Sequence, residues 1–151
     1  VDPTADEMRD GEHFAFLMAA VVGSPSTIVV NPAVWFSGSE GEAASMVDSH
    51  GTERRGLPNG FYIRDLDPAT VTLPVSPTAV VEILAHDASG GIAEKPQASS
   101  LAALAGWSAG TPIPGTYMFG IPPGPERKDM APVDVTAVGG TVVRIAERYV
   151  P

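Results

Sequence analysis

The chain has 151 residues, with 9 Lys and Arg against 18 Asp and Glu, and it contains no Cys. Its formal net charge of -9 argues against a nucleic-acid partner, which requires a basic surface, and against electrostatic attachment to anionic membranes. The lack of Cys excludes a disulfide framework, a thiolate metal site and a cysteine nucleophile. The length predicts one domain that can bury a core of its own.

The first 12 residues are acidic and contain Pro3, so we expect a flexible N-terminal tether followed by a single globular β-rich domain over residues 13–151. The longest apolar run, residues 14–22, is about half the length of a membrane span and lacks the basic flank of a signal peptide. We therefore expect no transmembrane segment in this sequence. We expect an export signal or a lipid anchor upstream of Val1.

Two apolar runs near the N-terminus predict a β-hairpin. Residues 14–22 and 27–30 are apolar, and a short Gly, Ser and Pro segment joins them. A helix over residues 14–22 is the competing interpretation, since short apolar runs are ambiguous. Residues 34–36, Val-Trp-Phe, are predicted to plug the core.

Helices are predicted at two places. Residues 42–47 follow possible capping residues and end before Gly51. Residues 101–107 follow Ser99 and Ser100, which can cap a helix, and carry Leu101, Leu104 and Trp107 at three- and four-residue spacing.

The central and C-terminal regions predict further strands. Residues 61–63 and 79–85 are rich in β-branched and aromatic side chains, while Pro74 and Pro77 should confine residues 71–73 to an edge strand or an irregular bridge. Residues 110–132 read as a long loop in which residues 117–119 form one short strand. Residues 133–138 and 141–145 alternate around Gly139 and Gly140, which is typical of a tight hairpin.

Together these elements predict a mainly β fold, with α+β as an alternative. Its form would be a small antiparallel β-barrel or curled sheet of about six or seven strands, with two short helices.

The sequence around each candidate catalytic motif argues against a catalytic role. Residues 106–110 match G-x-S-x-G around Ser108, but that motif requires a preceding strand, a following helix and a downstream histidine. His13, His50 and His86 are far apart and lack the spacing of metal ligands, so surface or capping roles are favoured. We predict no catalytic residue, no metal site and no cofactor.

A polar cluster lies in the otherwise apolar central region. Arg64, Asp65 and Asp67 could form a ligand or partner site with a planar guanidinium between two carboxylates. The favoured alternative is a local salt bridge at a corner between strands, which contributes ~0–1 kcal/mol when exposed.

Three segments carry a resemblance to a known group. They are residues 10–14 (D-G-E-H-F), 57–65 (L-P-N-G-F-Y-I-R-D) and 142–151 (V-V-R-I-A-E-R-Y-V-P). The chain resembles uncharacterised exported proteins and lipoproteins of actinobacteria with the patterns D-G-x-H-F/Y, N-x-Y/F-Y-I-R-N and V-V-R-I-x-E-Q-Y/F-L-P. The resemblance implies an extracytoplasmic location and no particular activity. Asp65 and Arg148 depart from the asparagine and glutamine of those patterns.

The first functional hypothesis is an extracytoplasmic binding or interaction domain, secreted or lipid-anchored at the cell surface. Its partner would be a protein or a glycan of the cell envelope, and we expect a monomer. The candidate site residues are His13, Arg64 and Asp65, which lie in the segments that carry the resemblance, and the nearby Asp67.

Two alternatives belong to other classes. One is a small hydrolase or metal-dependent enzyme that uses a histidine together with Asp65 or Asp67, which requires these side chains to converge. The other is a structural domain of an envelope assembly, which exposed aromatic side chains near Tyr117 and Phe119 would support.

Overall fold

The computed structural model describes residues 3–48, 60–64, 69–124 and 131–150. Its fold is mainly β and consists of a closed five-stranded barrel, additional strands and two short helices, so the predicted fold class is confirmed. In chain order the elements are β1 (Gly11–Val21), β2 (Ser26–Pro32), β3 (Val34–Ser37), α1 (Gly38–Asp48), β4 (Phe61–Arg64), β5 (Val71–Ile83), β6 (Gln97–Ser99), α2 (Leu101–Ser108), β7 (Ala131–Val138) and β8 (Thr141–Glu147).

The barrel closes because β5 pairs with β8 and also with β2, the strand at the other end of the sheet. The strands follow the order β2-β1-β7-β8-β5, and β5 also pairs with β2. Every contact between neighbouring barrel strands is antiparallel except β5 with β8, which is parallel. The first half of β5 pairs with β2, and its second half pairs with β8 and with the short β6.

Pro74 and Pro77 do not end the strand that contains them, and residues 71–73 pair with β2 alone, as residues of an edge strand do. Residues 71–83 form one continuous strand that contains both Pro74 and Pro77. Pro74 lies opposite Thr27 of β2, before the pairing with β8 begins at Val75. Pro77 lies within the shift of register that separates Val75 from the next residue paired with β8. Both prolines are therefore tolerated, because neither has to donate a hydrogen bond to β8.

Part of the segment that the sequence assigns to a flexible tether contacts the barrel. A short 3-10 turn covers Glu7–Arg9, and its Met8 is completely buried in the main core. The Gly140 N–H donates to the Arg9 carbonyl oxygen at 2.9 Å, which ties this turn to the β7–β8 hairpin. Since β1 already begins at Gly11, residues 7–12 belong to the folded domain.

Two local predictions are confirmed in detail. Gly139 and Gly140 have φ values of 58° and 86°, as a tight turn between β7 and β8 requires. The Ser100 hydroxyl accepts a hydrogen bond from the Ala103 N–H at 3.1 Å, so it caps α2 as expected. Helix α2 buries Leu104 and Trp107 in the main core.

The segment 117–119 is not a strand, because this part of the loop makes only an isolated bridge between Ala85 and Thr116. Phe119 is buried, and its ring meets that of Trp107 edge to face at 4.9 Å. The exposed aromatic patch expected around Tyr117 and Phe119 is therefore not present at Phe119. No helix in the described ranges is long and apolar enough to cross a membrane.

Residues 34–37 form β3, which pairs with β4, and they do not plug the barrel core. Their Trp35 and the Ile63 of β4 instead pack on a second apolar cluster made by Phe14, Phe16 and Ala33. Phe14 and Phe16 alternate with the core residues of β1, so this cluster covers the outer side of the barrel.

Replacing Trp107 by Ala should lower the free energy of unfolding by about 3–5 kcal/mol, because the change opens a large cavity in the core. It also removes the hydrogen bond of 2.8 Å from the indole N–H to the Ile121 carbonyl oxygen. Urea unfolding of the purified domain measures this loss. Val138→Ala is the control, because Val138 is 62% exposed and should change stability by less than about 0.5 kcal/mol. A loss below about 1 kcal/mol for Trp107→Ala would contradict this description of the core.

Candidate functional site

A cleft of about 250 Å³ lies between the outer side of the barrel and strand β3. We call it the outer cleft, and its border includes Glu12, Phe14, Trp35, Asp134 and Arg148. Val133 and Val135 of β7 are buried in the core, so Asp134 between them points outward. Phe14 lies directly opposite Asp134 on β1, which places both side chains on the same outer surface.

Trp35 is the centre of an aromatic stack at this cleft. Its ring lies parallel to that of Phe61 at a centroid distance of 4.5 Å, and Phe14 meets it edge to face at 5.5 Å. The Arg148 guanidinium carbon lies 4.0 Å from the Trp35 ring centroid, within the range of a cation–π contact. The Phe61 ring and the Arg148 guanidinium thus both lie within contact distance of the Trp35 ring.

Arg148 contacts β3 through Trp35 and the barrel through Asp134. Its Nη1 lies 3.4 Å from the nearer carboxylate oxygen of Asp134, which is long for a charge-assisted hydrogen bond. Its backbone N–H donates to the Pro132 carbonyl oxygen at 2.9 Å, which anchors the residue just beyond the end of β8. The side chains of Arg148 and Asp134 keep 35% and 25% of their surface exposed, so a ligand can reach both.

Burial raises the pKa of the Asp134 carboxyl above its ordinary value, and the nearby Glu12 carboxylate acts in the same direction. Arg148 and Arg144 oppose this rise in the pKa without cancelling it. The ionised form of Asp134 is therefore less favourable in the folded protein than in the unfolded chain. A carboxyl perturbed by burial in a cleft is a feature that functional sites share.

Of the two proposed site residues that the structure describes, His13 borders the outer cleft and Arg64 does not. His13 lies opposite Val135, a core residue, so its side chain is on the other side of β1 from those of Glu12 and Phe14. Its Nε2 donates to the Asp10 carbonyl oxygen at 2.8 Å. His13 therefore stabilises the start of β1, and its imidazole does not contribute to binding in the outer cleft.

Arg64 forms a local ion pair away from the outer cleft. Its Nε donates to Asp48 at the end of α1 at 2.9 Å, and the Tyr62 hydroxyl donates to the same carboxylate oxygen at 2.7 Å. The hydrogen bond from Arg64 and then that from Tyr62 lower the pKa of Asp48. Asp65 and Asp67 lie outside the described residues. The described ion-pair partner of Arg64 is thus a residue of the preceding helix, which fits a link between α1 and β4.

Sequence reasoning missed the residues that form the outer cleft, although weak signals were present. Asp134 alternates with buried valines, which marked it as an outward-facing side chain on a strong strand. Glu12 and Arg148 lie within the segments that carry the resemblance, but neither was singled out as a site residue. Nothing in the local sequence could connect Trp35 to Arg148, because only the barrel brings β3 beside the end of β8.

Two other polar groups have structural roles. The Ser108 hydroxyl, at the end of α2, lies within hydrogen-bond distance of the carbonyl oxygens of Ala20 and Ala105, at 3.1 Å each. The Glu147 carboxylate is buried, and its two oxygens accept from the backbone N–H groups of Leu84 at 2.8 Å and Met118 at 3.2 Å. Burial raises the pKa of Glu147, and these hydrogen bonds oppose the rise.

Among the described residues, no three His, Asp or Glu side chains converge in a way that could hold a metal ion. His50, which the metal-dependent hypothesis included, lies outside the described residues. No family model, curated protein or solved structure matches the chain. The outer cleft is therefore judged on its own geometry.

Replacing Asp134 by Asn should leave the free energy of unfolding at neutral pH unchanged or higher, within about 1 kcal/mol. The raised pKa of Asp134 gives a stability contribution that is full below its ordinary value of 3.8 and is lost as the pH rises through the raised value. The variant lacks this loss, so its stability relative to the parent should increase as the pH rises.

Urea unfolding between about pH 3.5 and pH 7 measures this difference. Glu94→Gln is the matched control, because Glu94 is an exposed acid in the loop before β6. A relative stability of Asp134→Asn that falls as the pH rises would show that the Arg148 pair outweighs the effect of burial.

Proposed function

We propose that the protein is a non-enzymatic binding domain that works outside the cytoplasm, and that the outer cleft holds part of its protein or glycan partner. The extracytoplasmic location rests on the resemblance of residues 10–14, 57–65 and 142–151 to exported actinobacterial proteins. The negative charge of the chain supports a partner other than a nucleic acid.

The observation that carries the proposal is the state of the Arg148 side chain. Its guanidinium carbon lies 4.0 Å from the Trp35 ring centroid, and its one side-chain hydrogen bond to a described residue is the 3.4 Å contact with Asp134. The remaining guanidinium N–H groups make no hydrogen bond to a described residue, so they can donate to a ligand. A planar cation that is already held in place loses little conformational entropy when it binds, and this preorganisation favours affinity.

The other groups around Arg148 complement it. Glu12 is 59% exposed and has only a 3.9 Å contact with Arg144, so its oxygens can accept hydrogen bonds from a ligand. Asp134 provides a second acceptor on the floor of the cleft, where partial burial strengthens a hydrogen bond. The cleft thus offers donors and acceptors within one small space, as a binding site for a polar group requires.

The enzyme alternative receives less support from the contacts. A hydrolase of that kind requires a histidine oriented by a carboxylate. His13 instead donates to a backbone carbonyl oxygen, and the Ser108 hydroxyl lies within hydrogen-bond distance of two others.

A thermal-shift screen tests the binding function. Sugars, peptidoglycan fragments, peptides, nucleotides and divalent metals are added to the purified domain, and a ligand at a hundredfold excess over its Kd should stabilise it by ~2.7 kcal/mol. We expect at least one of these ligands to bind. Arg148→Ala and Trp35→Ala should each weaken its binding by roughly tenfold or more, because each variant removes one side of the outer cleft.

Lys95→Ala is the control for the screen, because Lys95 is exposed in the loop before β6 and does not border the outer cleft. A hit whose affinity is the same in all three variants would place the binding site elsewhere on the protein. The location is tested separately by fractionating cells that express the native gene, where recovery only in the cytoplasm would contradict it.

A further inference from the structure

We infer that the outer cleft is one end of a longer binding surface, and that its ligand is an extended, linear, neutral glycan. This inference rests on the proposed binding function and adds the class and the length of the ligand. It is carried by a row of charged side chains that continues from the outer cleft across four neighbouring strands.

The row follows from the register of the barrel. Glu12 on β1 lies opposite Thr136 on β7, Thr136 lies opposite Arg144 on β8, and Arg144 lies opposite Val80 on β5. Directly opposed residues have their side chains on the same face of a sheet. Glu12, Thr136, Arg144 and Val80 therefore cross the outer side of the barrel as one line.

A second line runs beside the first. Asp134 on β7 lies opposite Ala146 on β8, and Ala146 lies opposite Glu82 on β5. We call the two lines together the charged strip. Neighbouring strands are about 4.8 Å apart, so the charged strip extends roughly 14 Å from β1 to β5. Its start at Glu12 and Asp134 is the floor of the outer cleft.

Three acids, Glu12, Asp134 and Glu82, and one base, Arg144, lie along the charged strip and remain partly exposed to solvent. The Arg144 Nη2 and Nε atoms donate to one Glu82 oxygen at 2.9 Å and 3.1 Å, and Nη1 lies 3.9 Å from Glu12. Arg144 is 41% exposed and Glu82 is 27% exposed. Arg148 and Asp134 repeat the same pairing at the cleft end.

Neighbouring groups of both signs suit a ligand that carries hydroxyl groups better than a ligand that carries a net charge. A sugar hydroxyl both donates and accepts, so it can bridge a guanidinium and a carboxylate at once. A ligand with many like charges would meet groups of both signs along the charged strip, which opposes strong binding. Val80, an exposed apolar side chain at the far end of the charged strip, can contact the C–H face of a sugar ring.

A peptide that adds a strand is disfavoured by the topology. Such recognition requires a free sheet edge, whose backbone groups pair with the peptide. The strands β1, β7 and β8 each have a paired neighbour on both sides, so their backbone groups are already used. Across the charged strip only side chains can contact a ligand, so they favour a ligand that is recognised through its own polar groups.

The inference is tested by titrating neutral β-1,4-linked cello- and chito-oligosaccharides, from the monomer to the hexamer, into the purified domain by calorimetry. We expect the affinity to rise with chain length until the charged strip is filled. Arg148→Ala should weaken binding at every length, while Arg144→Ala should weaken the longer oligomers about tenfold and leave the shortest ones unchanged.

Lys95→Ala again serves as the control, and thermal melts of each variant confirm that it folds. Arg144→Lys keeps the charge but loses the planar fork, so its loss should lie between those of the parent and Arg144→Ala. The inference is overturned if no oligomer binds, if affinity does not depend on length, or if Arg144→Ala affects short and long oligomers equally. A different ligand, such as a protein, that binds in an Arg148- and Trp35-dependent way would overturn the glycan while preserving the proposed function.

Discussion

The structure depends on the way that β5 closes the barrel. This strand of 13 residues pairs with β2 through its first half and with β8 through its second half. Without both contacts the sheet would stay open, and the outer surfaces of β1, β7 and β8 would have no fixed curvature. Pro74 lies within the pairing with β2 and Pro77 lies after it, so neither proline leaves a β8 acceptor unpaired. The closure therefore fixes the surface on which both the outer cleft and the charged strip are built.

The end of β8 connects the barrel interior to the outer cleft through successive residues. Glu147 points inward and binds the backbone N–H groups of Leu84 and Met118. Arg148 points outward onto Trp35, and the ring of Tyr149 lies 5.5 Å from that of Tyr117. Because neighbouring residues of an extended chain face opposite sides, one short segment can stabilise a buried loop and still present a guanidinium to solvent.

The sequence predicts the elements that local chemistry determines. The β7–β8 hairpin follows from Gly139 and Gly140, and α2 follows from its Ser100 cap and its apolar spacing. Barrel closure was not predictable in the same way, because the pairing of β5 with two partners joins residues that are distant in the chain. Met8 was overlooked for a related reason, since a single apolar residue in an acidic segment gives no periodic pattern.

Two acids with raised pKa values show why the outer cleft stands apart from the rest of the fold. Burial raises the pKa of both Glu147 and Asp134. Both oxygens of Glu147 accept hydrogen bonds from backbone groups, so its desolvation is offset by contacts that hold the fold together. The hydrogen bonding of Asp134 in the described chain consists of one contact of 3.4 Å, and its neighbour Glu12 adds repulsion. An amide of the same shape would avoid that repulsion, so the stability of the barrel does not account for the carboxylate; in the function that we propose, a partner completes its hydrogen bonding.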